Sequence, residues 1–151
     1  MIRREIHAEV VVDAPPEHVW RVLTDLEGHA RWNPFMRDVR GEVRPGAALS
    51  VRIDLAGRLD RTFAPRIVTV TPLRELTWIG RMVLPGLFDG EHSFFLEPQD
   101  EGRGCLLIQH ENFSGLLMPL FTPELEAATR QGFEAMNDAL KREAERLAVM
   151  H

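Results

Sequence analysis

The chain has 151 residues, 44% hydrophobic and 27% charged, which is the balance of one globular domain and too apolar for a disordered chain. Its net charge is −5, and its arginines are scattered among acids, as in Arg58-Leu59-Asp60-Arg61, with Lys141 the only lysine; the clustered basic groups that a nucleic-acid backbone demands are missing, so nucleic acid is excluded as a partner. No run approaches the roughly 18 apolar residues of a membrane span, Met1 to Glu9 lacks the apolar centre of a signal peptide, and Cys105 is the only cysteine.

Those features predict a cytoplasmic protein with no stable membrane insertion and no internal disulfide. The preference for arginine over lysine fits a GC-rich bacterial genome.

Residues 6–13 alternate, with Ile6, Ala8, Val10 and Val12 on one side, as a half-buried strand does. Ala14-Pro15-Pro16 ends it. A helix should follow, capped by Asp13 or Ala14, with Glu17 at its positive end, Val19, Val22, Leu23 and Leu26 inside, and Gly28 closing it. In His29 to Phe35, Pro34 disfavours helix at Asn33, so a second short helix or turn is expected.

Strands are predicted near 36–44, 48–56, 61–71, 75–83, 87–98 and 104–113, punctuated by Arg44-Pro45-Gly46, Ala56-Gly57, Thr71-Pro72, Leu84-Pro85-Gly86 and Gln99 to Gly102. Leu49, Val51, Ile53 and Leu55 alternate with polar residues, the pattern of antiparallel strands wet on one face. The connections are too short for crossover helices, which favours a meander.

The last element is a long helix. Thr122 can cap it, Pro123 suits its first position, and Glu124 and Glu126 complement its dipole. Leu125, Thr129, Gly132, Phe133, Met136, Leu140 and Leu147 mark one face, and a helix over 123–148 would span roughly 35–40 Å. No repeat or linker interrupts the chain, so residues 1–151 read as a single domain.

This order predicts an α+β fold: a curved seven-stranded antiparallel sheet wrapped around the C-terminal helix, with two short helices after strand 1. A gap midway between sheet and helix is where a ligand would lie.

Several stretches carry a resemblance. Ala14-Pro15-Pro16-Glu17-His18-Val19-Trp20, Trp32-Asn33-Pro34-Phe35, Gly90-Glu91-His92-Ser93-Phe94, Phe113-Ser114-Gly115-Leu116-Leu117 and Gly132 to Asn137 run nearly the full chain. Together they resemble the START-like, or SRPBCC, superfamily of Bet v 1-like helix-grip proteins, in its polyketide cyclase/dehydrase and lipid-transport branch. The resemblance implies a cavity for apolar ligands and activities from transport to ring closure. It also implies that Trp32, Asn33 and Phe35 sit near the cavity mouth.

Strand alternation places the candidate site residues. Trp78 and Met82 share one face of their strand, His92 and Phe94 one face of theirs, and Gln109, Glu111 and Phe113 one face of the last. With Phe121, Phe133 and Met136 from the C-terminal segment, these form the expected ligand-binding set. His92 and Glu111 are the catalytic candidates, able to act as acid and base for dehydration or ring closure; equally, they can simply satisfy each other as buried polar groups do. The histidines show no metal-binding spacing and there is no nucleotide-binding glycine motif, so neither metal nor cofactor is expected.

Three functions follow from these residues. The first is a binding or carrier protein for a lipid, isoprenoid, quinone or polyketide-like molecule, and it is preferred over a catalyst. The second is an enzyme of cyclase, dehydratase or aromatase type using His92 and Glu111. The third is a chaperone-associated interaction module, which would expose an apolar patch. A homodimer is compatible with all three.

Overall fold

The computed structural model describes residues 3–55, 57–81 and 86–150. Strand β1 (Arg3–Val12) leads into α1 (Pro16–Thr24) and the single turn α2 (His29–Trp32). Seven strands follow: β2 (Met36–Arg40), β3 (Ser50–Asp54), β4 (Asp60–Phe63), β5 (Arg66–Thr71), β6 (Glu75–Arg81), β7 (Asp89–Gln99) and β8 (Gly104–Ser114). The chain ends in α3 (Pro123–Met150).

The fold is the expected α+β arrangement of antiparallel strands and a long C-terminal helix, with one more strand than predicted. The segment 61–71 is two strands, broken at Ala64-Pro65, because proline has no N–H to continue a ladder. The strands form a five-stranded sheet, β1-β8-β7-β6-β5, and a three-stranded sheet, β2-β3-β4. The two are stitched where β5 meets the segment before β3. Ile67 N–H donates to the Ala47 carbonyl at 2.9 Å, and Leu49 N–H donates to the Pro65 carbonyl at 2.7 Å. One curved wall results.

Helix α1 differs from expectation at both ends. Its cap is Pro15 in extended backbone with no side-chain bond, and it stops at Thr24, so Gly28 precedes α2 instead of closing α1. Asp13 serves elsewhere: its N–H donates to Glu145 on α3 at 2.8 Å.

Helix α3 begins as predicted, with the Thr122 hydroxyl accepting the Leu125 N–H at 3.2 Å. Its inner face buries Thr129, Phe133, Met136, Asn137, Leu140 and Ala144. The C-terminal half is tied down by polar contacts: Lys141 donates to the Val11 carbonyl at 2.9 Å and pairs with Glu145, while Arg31 binds Glu143 at 2.9 Å. The first turns of the helix lack such ties to the sheet among the described residues.

Candidate functional site

The register of β6, β7 and β8 aligns the polar candidates. Trp78 lies opposite His92, His92 opposite Glu111, and Phe94 opposite Gln109, all facing α3. Between this wall and the first turns of α3 lies a partly open cavity of about 110 Å³.

The cavity's surface is almost wholly apolar. The five-stranded sheet contributes Trp78, Gly80, His92, Glu111 and Phe113. The three-stranded sheet and its hairpin contribute Val51, Ile53, Leu55, Leu59 and Phe63, and α3 adds Leu125 and Thr129. Phe35, Met36, Pro65, Phe88 and Phe121 complete it.

Of the residues expected from sequence, Phe35, Trp78, His92, Glu111, Phe113 and Phe121 line this space. Phe94, Gln109, Phe133 and Met136 are fully buried behind it and do not line it. They form the bed on which His92 rests, with the rings of Phe94 and Phe133 at 4.8 and 4.9 Å from the imidazole. Met82 lies outside the described residues.

Trp32 and Asn33 require correction, because neither lines the cavity. Asn33 is buried in a local polar knot. Its Oδ1 accepts the N–H groups of Phe35 and Met36, each at 2.9 Å, and its Nδ2 donates to His29 Nδ1 at 2.9 Å. His29 Nε2 in turn donates to the Leu23 carbonyl at 2.8 Å. Burial holds the His29 pKa below the ordinary histidine value, partly offset by that bond to Leu23. Trp32 packs against His29 with the ring centroids 4.6 Å apart and the planes tilted by 41°. The knot's effect on the site is indirect: it fixes the turn that delivers Phe35 and Met36 to the cavity.

The polar groups in and behind the cavity wall are connected. His92 Nδ1 lies 3.1 Å from Glu111 Oε1, and His92 Nε2 lies 2.8 Å from Gln109 Oε1. Gln109 Nε2 then donates to Asn137 Oδ1 on α3 at 2.8 Å. Such a pair, buried and facing an apolar space, can orient a ligand or exchange a proton with one. Cys105 takes no part, since burial pushes its thiol up to about 11 and keeps it a weak nucleophile.

The residues that strand alternation did not single out share one cause. The β3–β4 hairpin reaches the cavity because the whole wall curls, and its inward residues already alternate in sequence. Gly80 carried its own signal, since a glycine inside a strand marks room for something else.

The family comparison decides the grouping. Residues 3–145 match the family model for polyketide cyclase / dehydrase and lipid transport. This chain belongs to that family.

Solved structures of the same fold include the Zhui aromatase/cyclase from Streptomyces sp. R1128, at 24% identity and TM-score 0.78, covering 96% of this chain and 95% of that one. A START superfamily protein from Mycobacterium smegmatis is 18% identical with TM-score 0.75, over 95% and 98% of the two chains. Norcoclaurine synthase from Thalictrum flavum, solved in complex with dopamine and hydroxybenzaldehyde, is 16% identical with TM-score 0.72, over 99% and 88%. No curated protein sequence matches this one. Like these neighbours, this polyketide cyclase/lipid-transport family member has the helix-grip fold. Among its described residues, no helix is long and apolar enough to cross a membrane.

Proposed function

We propose that this chain binds a small hydrophobic or amphipathic molecule, of lipid, isoprenoid, quinone or polyketide-like character, in the cavity between the curved sheet and α3. The observation that carries this reading is an apolar space of about 110 Å³ whose wall holds a hydrogen-bonded His92–Glu111 pair. Apolar lining with few convergent polar groups is the usual chemistry of a small-molecule site. An apolar cavity of about 150 Å³ binds benzene, so a space of about 110 Å³ takes a group of about one ring's size.

Native mass spectrometry before and after organic extraction tests the reading. A small apolar molecule that co-purifies and is released by extraction supports it. A bare mass, together with a melting temperature unmoved by single-ring lipophiles, overturns it.

The second reading, a cyclase- or dehydratase-type enzyme, is favoured by one feature: the paired imidazole and carboxyl face the cavity together. Acid–base catalysis needs that proximity. Turnover of a polyketide mimic that falls at least a hundredfold in both His92→Ala and Glu111→Gln, while binding survives, would support it. Unchanged turnover in either variant would end it.

A further inference from the structure

Four buried side chains run in a hydrogen-bonded line through the core: Glu111, His92, Gln109 and Asn137. The direction of that line decides where the protons sit. A carboxamide can be turned either way, and which end of Gln109 meets the imidazole dictates which ring nitrogen carries hydrogen.

Two features orient the line the same way. Gln109 Nε2 faces two acceptors on α3, Asn137 Oδ1 at 2.8 Å and the Phe133 carbonyl at 3.5 Å. Exchanging the ends of Gln109 would set its oxygen against that carbonyl. Its Oε1 is therefore the acceptor 2.8 Å from His92 Nε2, and Nε2 must donate. At the outer end, Asn137 uses its oxygen for Gln109, leaving a buried Nδ2 without a partner among the described residues. Asn137 also lines a second, polar pocket with the carboxylates Glu9, Glu134 and Asp138. The negative field of those carboxylates favours the N–H end of the amide there, without any of them accepting a hydrogen bond from Nδ2.

With hydrogen on Nε2, the 3.1 Å contact between Nδ1 and Glu111 Oε1 leaves two arrangements. Either an imidazolium faces a carboxylate, or a neutral imidazole accepts from a carboxylic acid. In both, one proton sits between the two atoms and the pair has no net charge. The reversed line would have Nδ1–H donate to a carboxylate and leave the pair with a net negative charge against Trp78 and Phe113, which is costly in an apolar wall. Oε1 is engaged by His92, and no described residue donates to Oε2, which remains an acceptor on the cavity side.

We infer that Gln109 and Asn137 are positioning residues that hold His92 in its Nε2–H form, and that the resulting neutral His92–Glu111 pair selects neutral, hydroxyl-bearing ligands over cations and plain hydrocarbons. The ligand half rests on the cavity being a binding site; the positioning half does not.

Nitrogen-15 NMR of the histidine rings tests the positioning directly. In the wild type, His92 Nε2 is expected to be proton-bearing; an unprotonated Nε2 with a protonated Nδ1 overturns the inference. Gln109→Glu keeps an acceptor for Nε2–H and should preserve the signature, whereas Gln109→Leu should shift it toward Nδ1–H. Identical signatures in both variants would reduce Gln109 to a structural role and overturn the claim. Should Gln109→Leu fail to fold, the wild-type and Gln109→Glu spectra still decide.

Three probes of similar shape test selectivity: cyclohexanol, cyclohexylammonium and methylcyclohexane, titrated while following the Trp78 indole resonance. Cyclohexanol should bind about tenfold more tightly than either other probe, the effect of one hydrogen bond made in place. A preference for cyclohexylammonium would reveal a net negative charge on the pair, and equal binding of methylcyclohexane would remove the polar selection; either overturns the inference. If none of the three binds, the cavity reading and with it the selectivity half fall, while the nitrogen spectrum still decides the positioning half.

Discussion

Gly80 lacks a side chain where β6 passes the cavity, and a Cβ built there meets nothing nearer than the Pro65 side chain at 3.9 Å. Its φ is ordinary, so a substitution is sterically and conformationally free. Gly80→Val should therefore fill part of the space, stabilise the fold by about 1 kcal/mol and reduce uptake of a single-ring ligand about tenfold or more. Thermal denaturation and native mass spectrometry of the variant check both halves.

His29 makes a second prediction at the same scale. Its folded pKa is lowered from 6.5, so the unfolded chain binds the extra proton first. The stability it contributes is present above the ordinary histidine pKa and is lost as pH falls below about 6.5. Urea midpoints measured from pH 8 to pH 5.5 should fall more steeply for the wild type than for His29→Gln. Equal slopes would show that His29 is not the group responsible. Residues such as His29 and Asn33 also mark where sequence reading stopped. Their partners are each other and nearby backbone, contacts that no periodicity announces, so Asn33 resembles a loop residue at a cavity lip until its bonds are seen.

At the scale of the elements, helix α3 carries Gly132, where a Cβ would lie 2.4 and 2.6 Å from two carbons of the Phe35 ring. The glycine gives up helix propensity of about 1 kcal/mol so that Phe35 can pack flat against the helix. Gly132→Ala should push the ring toward the cavity. The expected result is a net stability loss of about 1 kcal/mol, since overpacking outweighs the regained propensity, with a larger proportional loss of ligand binding. Chemical denaturation and a binding titration on one preparation separate the two effects.

Elements with strong periodicity were legible beforehand. The α3 cap at Thr122, its inner face and the inward alternation of His92, Gln109 and Glu111 all followed from spacing. The break at Ala64-Pro65 did not stand out, because apolar residues on both sides let 61–71 read as one strand. Proline's missing donor was the available clue. The start of α1 was misplaced because Asp13 looks like a cap, whereas the helix begins two residues later behind an extended Pro15 that has no side chain able to cap.

For the whole molecule, the sheet curls until the β3–β4 hairpin faces β6, β7 and β8 across the cavity, and that meeting is a tertiary event. It explains why Leu59 and Phe63 were not assigned to the cavity by strand-by-strand reasoning, even though Val51, Ile53 and Leu55 were recognised as inward-facing. Filling the cavity with a ligand held at about a hundredfold its dissociation constant stabilises the folded chain by about 2.7 kcal/mol. A ligand that fills it at saturation should therefore raise the melting temperature by roughly 5–10 °C, read by differential scanning calorimetry. A ligand whose gain in melting temperature is the same in Gly80→Val as in the wild type would occupy some other place.

Occupancy of the cavity also sets a clock. Where degradation follows the population of opened chains, a difference of about 2–3 kcal/mol changes that population by on the order of a hundredfold. Loaded molecules would then outlast empty ones, and the amount of protein in the cell would rise and fall with the supply of its ligand without any change in synthesis.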